Sequence, residues 1–163
     1  NDVLLPFTAG ATVIRGPELD VLERYRRAAE ATGARVILRV TSDCPLISPS
    51  VCNRVIQRRA AHGLSYACNN MPPSFPLGFD CEAFTMQALR WHAENSHDAS
   101  SREHVTTALR SAVKGAANIN ESCPEGDLSH LRWTLDDISD YTRIVRVFEG
   151  AGAASNLTDV FRV

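Results

Sequence analysis

Residues 35–49 read RVILRVTSDCPLISP, and the fold turns on this stretch. Val36, Ile37, Leu38 and Val40 form a short continuous apolar run, the pattern of a strand covered on both faces in a parallel sheet. Thr41, Ser42 and Asp43 leave it at its carboxyl end, where open α/β sheets bind ligands. Pro45 disfavours helix at Cys44, which puts Asp43 in extended or turn backbone. Ser48-Pro49 reads as an N-cap with proline at the first helical position. A strand, an aspartate at its end and a capped helix make a mount for a divalent cation. An aspartate that merely caps its own turn has the same local sequence.

Working outward, residues 11–15 (ATVIR) are a strand candidate that Gly16-Pro17 breaks. A helix is predicted over 17–32, with Leu22, Tyr25, Ala28 and Ala29 inward, Arg24, Arg26 and Arg27 solvated, and Gly33 as C-cap. A second helix, 49–62, buries Val51, Cys52, Val55 and Ile56 and ends at Gly63. Strand, helix, strand, helix is the order of an α/β fold with right-handed parallel crossovers.

From Leu64 the period becomes two. Leu64, Tyr66 and Cys68 alternate with small residues, 69–73 is a loop, and 76–84 resumes a strand. There Phe79, Cys81 and Ala83 share one face. Gly78, Asp80 and Glu82 share the other, so two carboxylates sit side by side and call for water, a cation or a ligand between them. A plain exposed polar face satisfies the pattern equally. Thr85 caps a helix to Glu94 with Met86, Leu89 and Ala93 inward. Ser100 and Glu103 have capping-box spacing ahead of Val105, Ala108, Leu109 and Val113. Residues 115–127 read as a polar loop or a weak strand. A strand over 131–135 (LRWTL) delivers Asp136 to its end, and Asp137 caps a helix with Tyr141, Ile144, Val145 and Phe148 inward. Residues 156–163 begin a last helix.

With 163 residues, 44% of them hydrophobic, the chain suits one domain with a real core. A net charge of −2 gives no electrostatic case for nucleic acid or an anionic membrane. No apolar run reaches the length of a membrane span and no signal peptide is present, which points to the cytoplasm. Lys114 is the one lysine, so phosphate contacts fall to arginine, main-chain amides or metal. Five cysteines without a CxxC read as reduced core thiols. His92, His97 and His104 fit no zinc spacing.

The segment TSDCPLISP (41–49) resembles the TSDCPLIDP signature of the spore-coat polysaccharide biosynthesis F family. That family lies in the cytidylyltransferase group, with CMP-KDO synthetases and acylneuraminate cytidylyltransferases. RGPELDVLERY, SYACNN, FPLGFDCEAF, SREHVT and RWTLDDISDY match in the same order, across nearly the whole chain. The resemblance implies a Rossmann-like nucleotidyltransferase sandwich with a mixed, mostly parallel sheet. It also implies a small extended β arm over 64–84 that takes part in a homodimer contact. The implied activity moves CMP from CTP to a sugar acid or sugar phosphate for surface polysaccharide biosynthesis, with Mg²⁺. On this reading Asp43 and Asp136 are the catalytic metal ligands, and Asp80 and Glu82 orient the acceptor. Arg102, Glu103 and His104 contact the ligand or brace the site. Arg15 and Asp20 lie near it, although a salt-bridged helix start explains them equally. Two other readings stay open: a glycosyltransferase of similar fold, and a non-catalytic sugar-nucleotide-binding or assembly module. In the resembled family a basic, glycine-containing loop grips the triphosphate at a position ahead of Asn1. The chain is therefore read as the later part of a longer protein, lacking the N-terminal nucleotide-binding part and inactive alone. DDISDY stands where DTPEDL is usual, and Ser48 where an aspartate is usual.

Overall fold

The computed structural model describes residue 8 and residues 10–151. Its elements are α1 (Val21–Thr32), β1 (Val36–Arg39), α2 (Pro49–Ala61), β2 (Tyr66–Cys68), β3 (Glu82–Thr85), α3 (Met86–Asn95), α4 (Ala99–His104), α5 (Thr107–Ala112) and α6 (Ile138–Ala151). The α/β class holds. The helix expected over 156–163 lies outside the described residues.

The strand pairing differs from the mostly parallel sheet expected. The sheet runs β1-β3-β2, and β3 is antiparallel to both neighbours. Ile37 faces Phe84 and Arg39 faces Glu82 on one side, while Tyr66 faces Phe84 and Cys68 faces Glu82 on the other. β1 and β2 thus run parallel to each other, as the strand–helix–strand pattern requires, but the returning strand is inserted between them. The reason lies in residues 69–81, which reverse the chain instead of extending β3 backward to residue 76. The stretch expected as an arm is accordingly central. Tyr66, Ala67, Cys68, Phe79, Ala83 and Phe84 have no exposed surface, and Phe75 is buried too.

Alternation along the strands divides the core into two layers. Ile37, Tyr66, Cys68 and Phe84 pack with Leu22, Ala29, Ala88, Leu89, Val105 and Leu109 of α1 and the α3–α5 region. Ala67 and Ala83 face Val51 and Val55 of α2, Ile144 and Val147 of α6, and Phe79 and Cys81. Tyr141 and Phe148, expected inward, are about half exposed, because α6 turns Ile144 and Val147 to the core. β1 is an edge strand among the described residues, so Val36 and Val40 are exposed and not covered on both faces.

Several boundaries follow from capping chemistry. α1 begins at Val21, since Asp20 accepts the Glu23 amide (2.9 Å) as N-cap, and Gly33 closes it at φ +64. Residues 12–17 form no strand. Asp98, and not Ser100, caps α4 by accepting the Ser101 amide (2.8 Å). Val105, at φ +61 and ψ −42, breaks the expected single helix into α4 and α5. Asp137 accepts the amides of Ser139 (2.8 Å) and Asp140 (2.9 Å) at the start of α6, as expected.

Residues 131–135 are held to the 69–81 loop and not to the sheet. Leu77 and Arg132 form an isolated parallel bridge, Leu77 donating to Leu131 (2.9 Å) and accepting from Trp133 (2.7 Å). Gly78 sits beside this bridge at φ +105, where an added Cβ would lie 2.7 Å from the Trp133 carbonyl. Gly78→Ala should therefore cost roughly 3 kcal/mol, from backbone strain and steric overlap together. Urea denaturation checks this, and an unchanged midpoint would contradict it. Among the described residues no helix is long and apolar enough to cross a membrane.

Candidate functional site

α1 enters β1 through a three-residue turn, so its amino end lies at the carboxyl end of β1; the Tyr25 hydroxyl reaches the Val40 carbonyl (3.5 Å). This edge collects most of the site residues expected from sequence.

Asp43 follows β1 and is half-buried. Its main-chain carbonyl accepts the Leu135 amide (2.8 Å), which brings the turn bearing Asp136 alongside the turn bearing Asp43. Cys44 reports a second neighbour. Its thiol is pushed up by burial first, and further by the negative charges of Asp43 and Asp80, against a hydrogen bond with Thr41. Asp80, also half-buried, accepts the Gly78 amide (3.4 Å).

Asp136 is exposed and pairs with Arg132 (2.6 Å), which also reaches Asp140 (3.1 Å). The buried Asp140 accepts the Asp136 amide (3.0 Å) and pairs with Arg143 (3.2 Å). Its carboxyl is lowered to about 2, chiefly by the Arg132 hydrogen bond. Asp140 is absent from the residues expected from sequence; an acid in the first turn of α6, it carries no signal there beyond helix-start acidity.

Glu82 is buried and does not stand on an open polar face. Arg39 donates to it (2.8 Å), as do the hydroxyls of Tyr66 (2.5 Å) and Thr106 (2.9 and 3.1 Å), and Arg110 lies 3.8 Å away. Burial, and then the charge of Glu82, push the Tyr66 hydroxyl far up. Three partners, Arg39, Tyr66 and Thr106, sit inside the quoted stretches, but only the pairing of β3 with β1 and β2, and the tight turn at Val105, bring them to Glu82.

Arg102 donates from Nε to Asp20 (2.9 Å), with a closer contact from its terminal nitrogen, and to the carbonyls of Ala93 (3.0 Å) and Ser96 (3.4 Å). Burial pushes the Asp20 carboxyl up, but Arg102 and the Glu23 amide outweigh it and the net shift is downward. Arg102 and Thr106 thus clamp both ends of the REHVT segment. Glu103 and His104 are exposed between them, and Val105 turns the chain tightly, the Thr106 amide reaching the His104 carbonyl (2.6 Å). Arg15 is exposed on the chain leading to α1.

Behind this segment His92 is fully buried and hydrogen-bonded to Ser96 (2.6 Å). Burial first, then the Arg102 charge, lower its pKa from the usual 6.5. The folded state holds the ring neutral while the unfolded chain protonates, so stability should fall as pH drops below about 6.5, by up to about 1.4 kcal/mol per pH unit. His92→Gln should flatten that slope in urea titrations between neutral and mildly acid pH. An identical slope in the variant would assign the effect elsewhere.

Among the described residues no three His, Cys, Asp or Glu side chains converge on a closed metal cage. An edge with two separate carboxylates suits Mg²⁺, which takes one or two protein carboxylates and completes its shell with phosphate and water.

The sequence model of the family described as cytidylyltransferase matches residues 1–124. The chain is 33% identical over 97 residues to the uncharacterized protein MJ1063 of Methanocaldococcus jannaschii, covering 60% of this chain and 39% of that protein. It is 28% identical over 145 residues to the spore coat polysaccharide biosynthesis protein SpsF of Bacillus subtilis, covering 88% of this chain and 59% of that protein. The chain thus spans well under two thirds of both curated relatives. A solved cytidylyltransferase from Leptospira borgpetersenii superposes with a TM-score of 0.89 over 99% of this chain and 70% of that one, at 24% identity, which shows the shared fold. By the extent of the family match, this chain belongs to the cytidylyltransferase family.

Proposed function

We propose that the chain forms the metal-binding and acceptor side of an enzyme that moves CMP from CTP to a sugar acid or sugar phosphate, for assembly of a surface polysaccharide. The hydrogen bond from the Leu135 amide to the Asp43 carbonyl carries this reading, because it joins the turns that bear two aspartates from distant parts of the chain. Asp43 and Asp136 would hold Mg²⁺. Bound there, the cation would supply neutralisation of the charge that builds on the phosphates as pyrophosphate leaves. Arg132, tied to the buried Asp140, keeps the Asp136 turn in place. Asp80 faces the acceptor. Glu82 acts at one remove, since its oxygens already hold Tyr66, Thr106 and Arg39, and it fixes those groups in position. Arg102 and Asp20 anchor the segment that presents Glu103 and His104 to the ligand, with Arg15 at the rim. The proposal includes a cytoplasmic location, where CTP is made, and a homodimer.

The test is to incubate the complete enzyme, of which this chain forms that side, with CTP, Mg²⁺ and a nonulosonic acid or a sugar phosphate, and to follow pyrophosphate. Release that needs all three supports the reading. Transfer of an intact sugar with release of a nucleoside diphosphate would make the protein a glycosyltransferase. CTP binding without turnover on any acceptor would make it a binding module.

A further inference from the structure

We propose that a cationic cavity on the β2 flank, apart from the Asp43–Asp136 edge, binds the phosphate group of a sugar-sized phosphomonoester. The cavity, of about 570 Å³, lies between the last turns of α2, Met71 and residues 114–122. Its charged lining is Arg58 and Lys114, and it contains no acid; Asn118 and Ser122 add polar groups, while the Asn120 amide is taken by Met71 and Pro72. Beside it is the buried Glu121, whose two oxygens are taken by Arg54 (Nε, 2.8 Å) and Arg58. The loop is pinned to β2 on both sides of this point: Cys68 donates to Ile119 (2.9 Å), and Glu121 donates to Cys68 (2.8 Å).

The charge balance selects the ligand. Arg54, Arg58 and Lys114 outnumber the single carboxylate of Glu121 and leave a surplus of two positive charges. A phosphomonoester carries roughly −1.5 to −2 at neutral pH and matches that surplus, whereas a sugar carboxylate matches half of it. Arg58 is held by Glu121 through its Nε edge and borders the cavity, so its position is fixed before a ligand arrives. Lys114 supplies a compact mobile charge, and Ser122 and Asn118 supply neutral hydrogen bonds. The volume lies within the range of small-molecule sites and exceeds what phosphate alone would fill. Met71 and Ile119 offer an apolar wall to a sugar ring. None of these residues belongs to the Asp43–Asp136 edge, so the inference does not depend on that reading.

Amide NMR on the isotope-labelled chain tests it without CTP, metal or turnover. The probes are glucose 1-phosphate, inorganic phosphate, glucuronate and glucose. Glucose 1-phosphate is expected to shift the amides of Gly115, Asn118 and Ser122 at millimolar concentration, more tightly than inorganic phosphate. Glucuronate should bind more weakly and glucose not at all. Lys114→Gln, an exposed substitution, should weaken the phosphate ester about tenfold with an unchanged melting temperature; Arg58→Lys, which keeps the charge on Glu121, should weaken it by a smaller factor. Absence of shifts at these amides, shifts indifferent to Lys114→Gln, or glucuronate binding as tightly as glucose 1-phosphate would each overturn the proposal. Pyrophosphate assays remain free to succeed or fail on their own.

Discussion

Glu82→Ala is expected to cost about 3–5 kcal/mol of stability, the range for breaking a buried ion pair by removing one partner. The carboxylate is almost wholly buried at the start of β3 and accepts from Arg39, Tyr66 and Thr106. Alanine takes the charged acceptor from the fully buried Tyr66 hydroxyl and leaves the buried Thr106 hydroxyl only the His104 carbonyl at 3.5 Å, while the Arg39 charge stays half-covered beside them. The lost partners come from β1, β2 and the start of α5, so the damage spreads through the whole sheet. Domains of this size have about 5–15 kcal/mol in total, so the variant should unfold at a much lower urea concentration and begin to melt near working temperature. Glu82→Gln separates charge from shape: the amide still accepts a hydrogen bond but no longer neutralises Arg39, and its loss should be smaller. If Glu82→Ala unfolded at the wild-type urea midpoint, the cluster would not be the centre of the fold.

Asp43→Asn should do the opposite, sparing the fold and removing activity. The structural bond at this residue is made by its main-chain carbonyl, which asparagine retains, and its side chain is only half-buried. The melting temperature should therefore stay close to wild type. In the complete enzyme, pyrophosphate release should fall by about a hundredfold or more, as when a principal electrostatic contact to the reacting phosphates is lost. Raising Mg²⁺ should recover little of it, because an amide oxygen is a weaker ligand than a carboxylate. Asp136→Asn should act in the same direction, and the two changes together should cost much less than the sum of the separate losses. Wild-type turnover by Asp43→Asn would remove the metal-ligand assignment and leave Asp43 as a turn residue.

Local signals were the most legible. Gly33 and Asp137 end and start helices where their residue types say they should, and Pro49 opens α2. The cap of α4 went to Asp98 over Ser100 because the Asp98 carboxylate accepts the Ser101 amide and starts the helix at Ala99, which winds Ser100 into its first turn. The alternation of 76–84 overstated β3, since Gly78 and the backbone approach of Trp133 need a turn there. Asp43 could be placed at a strand end from its own neighbourhood. What Glu82 touches could not: its partners lie 16 to 43 residues away, and period-two reading distinguishes faces without saying which face another element covers. The antiparallel insertion of β3 escaped for the same reason, since apolar runs carry no direction.

That insertion bears on how the chain is made. Synthesis proceeds from the amino end, and β1 and β2 are finished well before Glu82–Thr85 leaves the ribosome. Neither strand forms a ladder with the other, so no sheet pairing among the described strands can begin until the third is available. In the interval the early helices α1 and α2 hold their apolar stripes without the surface they finally cover. Arrival of one four-residue strand then closes both ladders at once. A nascent protein of this kind gains its order late and in a single step, and its half-made form is the one most in need of a chaperone.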